Sequence, residues 1–399
     1  MSMLGIATIL LLTSTTGSYS LAGAVCAVIL TAQAIAAPRI GRLTDGYGQG
    51  QVLRPVVLVH VAGLTGLLAA ALLHAPHWTL FVSAIVAGAA FPPIGSLVRA
   101  RWSALVGGTP QLKSAFSIEA SIDELIYIVG PVLTTVLSAT AHSSAGFIAG
   151  MLLTLFGGLA FAAQRRTQPA IVTTTGPRSS ALRIPAVRVI LAFCLALGTV
   201  LGSVEIAMVG FAEDQGRIVL AGPMVAAFSV GSLATGLLYG ARKWQVSSIR
   251  RFLVAVGLLS IGTFPLLVAS NLAQMTLASF VAGAAVAPTL IVAYEIVEML
   301  VPSGEMTAGF AWVQTSLGVG LAIGAGSAAQ VVEFVDGRTA FAVTVAAGLA
   351  AVLIVFPCGW ILRSSTVDVT PVDALTPTEL LTDEVGPASG NLPLASSKN

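Results

Sequence analysis

Glu119, Asp123 and Glu124 stand close together in a run otherwise rich in Ile, Val and Leu. On a helix, Glu119 and Asp123 are one turn apart on a face that continues to Tyr127 and Gly130. At about 1.5 Å per residue, Asp123 and Glu124 lie roughly 15 Å beyond Lys113, deep inside such a run. A carboxylate among apolar side chains takes up a proton more readily than one in water, so either residue suits a proton carrier. The same residues equally suit a structural ion-pair and hydrogen-bond network, with Arg99 as the cation expected opposite Glu119. Glu205 is a fourth acid in an apolar run, a ligand for substrate or proton, or a group facing a water-filled cavity. Glu295 and Glu298 fall late in their run and read as interfacial.

Other chemistry is sparse. His74 and His77 share a turn with Pro76 and Trp78, which reads as an interface-anchoring turn. Cys26, Cys194 and Cys358 stand singly, suggesting neither a disulfide framework nor a metal site. No Gly-Lys-Ser/Thr phosphate loop and no His-Glu-x-x-His or Gly-x-Ser-x-Gly pattern is present, which argues against an ATP-driven pump and a membrane hydrolase. The expectation is therefore a protein that is not an enzyme and carries no cofactor or metal.

The elements that position these acids follow from composition. Of 399 residues 56% are hydrophobic and 9% charged, more apolar side chain than one water-soluble core hides. With 19 Lys and Arg against 17 Asp and Glu, a polybasic nucleic-acid binder is excluded. Runs of about twenty apolar residues suit membrane-crossing helices. They fall at 3–16, 18–39, 55–74, 78–100, 114–138, 144–163, 188–211, 217–240, 252–270, 272–298, 306–332 and 339–362. With these twelve spans, every Lys and Arg except Arg217 and Arg338 falls on one side, as the positive-inside rule requires. That side, with the C-terminus, is expected to be cytoplasmic. The first run is too short to cross a bilayer, and the expectation is a truncated first helix whose coding sequence starts upstream.

The chain divides into an N-terminal six-helix bundle (1–163), a cytoplasmic linker (164–187), a C-terminal six-helix bundle (188–362) and a disordered, acidic cytoplasmic tail (363–399). The halves repeat. Val86-Ala87-Gly88-Ala89-Ala90 with Pro93 recurs 195 residues later as Val281-Ala282-Gly283-Ala284-Ala285 with Pro288, and the same offset carries Gly41 and Leu43 onto Gly236 and Leu238. Parallel repeats of this kind place a substrate site near the midplane, between halves that rock against each other. The glycines Gly318, Gly320, Gly324 and Gly326 read as helix-packing positions.

After the second span the chain reads Gly41-Arg42-Leu43-Thr44-Asp45-Gly46-Tyr47-Gly48-Gln49-Gly50. This resembles the loop signature of the major facilitator superfamily, Gly-x-Leu-x-Asp-(Arg/Lys)-aromatic-Gly-Arg-(Arg/Lys). Gly41, Leu43, Asp45, Tyr47 and Gly48 match, while Gly46 and Gln49-Gly50 replace basic residues. The resemblance implies an all-α integral membrane fold of two pseudo-symmetric six-helix bundles. It also implies that Asp45 docks on the start of span eleven, around Ser303 to Thr307, as a conformational latch. The residue-level alternative is that Asp45 caps local turn amides. Gly130-Pro131 in span five is similar to the core of a motif of drug antiporters in that superfamily, and equally reads as a simple helix kink.

The resulting expectation is a monomeric, proton-coupled exporter of a small molecule, lying in the cytoplasmic membrane of a bacterium and contacting no nucleic acid. A nutrient uptake permease shares every feature used. A non-transporting membrane sensor or decayed paralogue is the reading from another class, motivated by the short first span.

Overall fold

The computed structural model of the chain describes residues 2–171, 181–217 and 220–362. The expected tail at 363–399 and the middle of the expected linker lie outside them. In the first half the helices are α1 (Ser2–Thr16), α2 (Tyr19–Tyr47), α3 (Gln49–Leu72), α4 (His77–Ala89), α5 (Ile94–Val106), α6 (Gln111–Thr140) and α7 (Ala145–Ala163). In the second they are α8 (Pro185–Asp214), α9 (Ala221–Ala241), α10 (Ser248–Val268), α11 (Leu272–Gly283), α12 (Val286–Leu300), α13 (Met306–Phe334) and α14 (Phe341–Val355). Taking α4 with α5 and α11 with α12 as single spans, ten are long and apolar enough to cross a bilayer, and α1 and α14 are shorter apolar helices. No strand occurs among the described residues.

The outer surface is apolar where a soluble protein would be polar. Ile35, Leu153, Phe156, Ile261 and Leu353 are each more than half exposed, a surface that lipid solvates and water does not. The chain is an integral membrane protein.

Spans four and ten differ from the expected continuous helices, because both break at the repeated Val-Ala-Gly-Ala-Ala segment. Prolines supply the reason in span four: Pro92 and Pro93 lack the amide hydrogens a continuing helix needs, and α5 restarts at Ile94. In span ten the break is a single turn at Ala284 and Ala285, with Pro288 in the first turn of α12. Glycine sets the packing beside both breaks. A Cβ on Gly88 would meet the Ile29 carbonyl oxygen of α2 at 2.3 Å, and one on Gly283 the Phe228 carbonyl oxygen of α9 at 2.0 Å. Each repeat thus seats its broken span on its own second helix, α4 on α2 and α11 on α9.

The glycines of α13 divide by face. Gly320 and Gly324 lie against Leu195 and Thr199 of α8, and Gly198 and Gly202 of α8 lie against Leu317 and Leu321 of α13, with backbone oxygens 2.0–2.1 Å from where a Cβ would be. Small residues let two membrane helices touch backbone to backbone. Gly318 and Gly326 have nothing within 4 Å of that position, so packing does not account for them.

Candidate functional site

α6 carries the three acids along one length of helix. Glu119 is buried, and Asp123 and Glu124 are half-buried. The Arg99 guanidinium of α5 is only 1% exposed and donates from one terminal nitrogen to Asp123 Oδ2 at 2.5 Å. Spacing alone suggests Arg99 with Glu119; the structure pairs it with Asp123. The helix break before Ile94 resets the direction of α5, which an unbroken span would not share. Glu119 lies one turn before Asp123 on α6, and α6 packs along α9 of the other half. Arg99 also stacks on Tyr294 of α12, 4.3 Å from the ring centroid, and Tyr294 Oη donates to Gln314 Oε1 of α13 at 2.9 Å.

These groups sit where the halves part. Between them and one end of the molecule lies a plug of Phe116, Tyr294 and Phe310, with centroids 5.7–6.1 Å apart, each ring 2% exposed or less. Toward that end α13 is buried from Met306 to Ala311, and α6 at Phe116, Ser117 and Glu119. Away from it, the buried residues of α13 beyond Val313 are Gly320, Gly324 and Ala328, and the buried residues of α6 beyond Glu119 are Gly130 and Thr134. The end at the plug is therefore closed, and beyond it both helices are mostly exposed. Tyr127 and Glu205 are exposed there. Tyr127 lies one turn beyond Asp123 on α6, and Glu205 stands on α8. Gly130-Pro131 lies further along α6, which is assigned as one helix throughout; Thr134 Oγ1 donates to the Gly130 carbonyl at 2.9 Å.

The signature residues stand at the closed end, and the expected loop is the helical end of α2. Pro38 is tolerated inside that helix, which continues to Tyr47, and Gly48 alone turns the chain into α3 with φ of +89°. Asp45 Oδ1 accepts from the Thr307 amide at 3.1 Å and Oδ2 from the Ala308 amide at 3.0 Å, both in the first turn of α13. Its amide partners are across the half-to-half interface. Gly41 permits the approach, since a Cβ there would stand 2.8 Å from the Ala308 Cα. Arg42, Leu43 and Tyr47 are exposed and lie on other faces.

The interior partners of Arg101 and of Glu295 escape sequence reasoning. Arg101, 4% exposed, donates to Gln49, Gln164 and Thr167 side chains and to the Phe161 carbonyl, and stacks on the Phe161 ring. Glu295 is 7% exposed and pairs with Arg251, in the first turn of α10, at 2.8 Å. Glu298 lies against Gly107, between α5 and α6. An Arg and a Glu buried in separate spans leave no periodic mark by which sequence could pair them. No group of three or more His, Cys, Asp or Glu able to hold a metal occurs among the described residues.

No family model matches the chain, and no curated protein matches it in sequence. Solved structures do match in fold. A bacterial homologue of the iron transporter ferroportin, in an outward-facing state, superposes with a TM-score of 0.71 at 13% identity, covering 91% of this chain and 96% of that one. The human organic anion transporter MFSD10 matches at 0.66 and 15% identity over 89% and 96% of the two chains. The Escherichia coli fucose:proton symporter FucP matches at 0.66 and 12% identity over 89% and 95%. The fold is that of major facilitator superfamily transporters.

Proposed function

We propose that this protein is a secondary active transporter that works by alternating access, exchanging protons for a small amphipathic or hydrophobic molecule. The observation that carries the reading is the Arg99–Asp123 pair: a fully buried cation held by a carboxylate that is 39% exposed. In that position a proton reaching the exposed side of Asp123 neutralises it, weakens its hold on Arg99 and leaves a buried guanidinium in need of a partner. Rearrangement of the two halves around α5 and α6 would restore one. Glu124 is the second candidate carrier, since it is half-buried beside Asp123 on α6, a helix that packs against α9 of the other half. Glu119 and Glu205 flank the pathway at its inner and outer ends.

In this reading the closed end is cytoplasmic and Asp45 latches it, with the C-terminus on the same side. The bundles 1–163 and 188–362 are the moving bodies, joined by the linker at 164–187. The protein works as a monomer in a bacterial cytoplasmic membrane, exports its substrate, and draws on the proton gradient with no bound cofactor.

The test uses purified protein in proteoliposomes with an imposed pH gradient and a panel of labelled amphipathic compounds. Asp123→Asn or Glu124→Gln is expected to abolish gradient-driven movement while leaving passive exchange of substrate. Gradient-driven transport unchanged in both variants removes the coupling assignment, and movement of substrate with the proton would make it an uptake permease.

A further inference from the structure

The repeat offset of 195 residues carries Asp45 onto Gly240 and Ala308 onto Lys113. The helices that carry these two images meet at the same place, as those of Asp45 and Ala308 do, but with different chemistry. Lys113 Nζ donates to the Arg242 carbonyl, Ser114 Oγ donates to the Gly240 carbonyl at 3.1 Å, and Ser117 Oγ donates to the Gly236 carbonyl at 2.7 Å. All three donors belong to the first two turns of α6, and all three acceptors to the last turns of α9 or the residue just past it. On the first side a carboxylate at the end of α2 receives the free amides that open α13. On the second, an ammonium and two hydroxyls at the start of α6 cover the carbonyls that close α9. Helix N-termini favour anions and C-termini favour cations, so each contact is matched to the pole it meets.

Steric fit explains why the second side has no acid. A Cβ on Gly240 would stand 2.3 Å from both Cβ and Oγ of Ser117, so no residue larger than glycine occupies the place that Asp45 holds in the first repeat. The chain gives up the carboxylate there, and donors on the facing helix replace it. Gly236, the image of Gly41, lies at the same crossing and supplies the carbonyl that Ser117 takes.

We propose that Lys113, Ser114 and Ser117 form a second latch at the closed end, the repeat-related counterpart of Asp45 with donor and acceptor exchanged. This rests on the alternating-access reading above. The two latches lie on opposite flanks of the Phe116–Tyr294–Phe310 plug, α2 with α13 and α6 with α9, so the closed end opens only when both let go. A single latch would leave the other flank free to splay.

The test measures distances between spin labels at Gln111→Cys on α6 and Lys243→Cys just beyond α9, in full-length protein reconstituted in lipid nanodiscs with the three native cysteines replaced by alanine. Gly240→Ala forces Ser117 away; Lys113→Gln and Ser117→Ala remove donors without adding bulk and guard against misfolding of the first. Asp45→Asn serves as the reference. In each second-latch variant the single short distance is expected to give way to a mixture with a longer population. A longer population in Asp45→Asn alone overturns the second latch and leaves alternating access standing. A short distance retained in all four variants overturns both, because the closed end then does not open at all.

Discussion

The Ala308 amide donates to Asp45 Oδ2 at 3.0 Å, tying the last turn of α2 to the first turn of α13 across the two halves of the molecule. Thr307 occupies the other carboxylate oxygen. A full negative charge at a helix N-terminus contributes about 1 kcal/mol, and a neutral amide oxygen keeps part of the hydrogen bonding but not the charge. Asp45→Asn should therefore raise the population open at this end about 5-fold, and Asp45→Ala further. Alkylation of a cysteine placed at Ser121, by an impermeant reagent confined to the closed side of sealed vesicles, reads that population. Equal labelling of Asp45→Ala and the parent would show that the contact does not hold the end shut.

Gly324 and Gly318, two turns apart on α13, should respond oppositely to the same substitution. At Gly324 a new Cβ meets the Thr199 carbonyl oxygen at 2.1 Å, and the obstacle is backbone, so α8 and α13 must separate along their length. At Gly318 nothing lies within 4 Å. Gly324→Ala is expected to destabilise by about 2 kcal/mol, in the range of overpacked cores, whereas Gly318→Ala should be neutral or slightly stabilising because alanine is the better helix former. Thermal denaturation in detergent distinguishes them. Parallel losses at the two sites would mean that both faces of α13 are packed.

The Arg99–Asp123 pair predicts a non-additive pair of substitutions. Asp123→Asn strands a guanidinium that is 1% exposed, whereas Arg99→Met strands only a carboxylate that is 39% exposed and reaches water. After allowance for that exposure, Asp123→Asn should cost about 2 kcal/mol and Arg99→Met less. The double variant should be more stable than Asp123→Asn alone, since it removes the unpaired buried cation. Additive losses in denaturation would show that the two side chains are not energetically coupled.

Hydrophobic run length made the apolar helices legible, because bilayer thickness acts on every span alike; ten are long enough to cross, while the expected last span at 339–362 shortens to α14 and a turn at 356–358. The Val-Ala-Gly-Ala-Ala repeat was legible as an echo between halves, but not as the place where two helices break. The acids of α6 stood out as soon as their apolar flanks were counted. Their partners did not: Arg99 lies 24 residues from Asp123, and Asp45 lies 263 from Ala308. Which cation faces which acid depends on helix rotation, and the break between Ala89 and Ile94 rotates everything after it. Arg101 was the least legible, since a positive residue at a span end satisfies the positive-inside rule whether it faces solvent or the interior.

Arg101 gives the last prediction through that ambiguity. Its Nε donates to Gln49 Oε1 at 2.8 Å, one terminal nitrogen reaches Thr167 at 3.0 Å and Gln164 at 3.3 Å, and the other reaches the Phe161 carbonyl at 3.1 Å. Its guanidinium carbon sits 3.8 Å above the Phe161 centroid. One planar fork thus joins the start of α3, the end of α7 and the residues that follow α7 toward the second half. A lysine there keeps the charge but offers a single nitrogen, which cannot reach three directions or stack flat on the ring. Losing charge-assisted hydrogen bonds of this kind costs about 2 kcal/mol. Arg101→Lys should therefore release the segment 164–171, seen as faster amide exchange there while α3 and α7 keep their protection. Exchange as slow as in the parent would mean that the segment is held by other contacts, such as Gln168 beside Gly50 and Ile171 against Gly48.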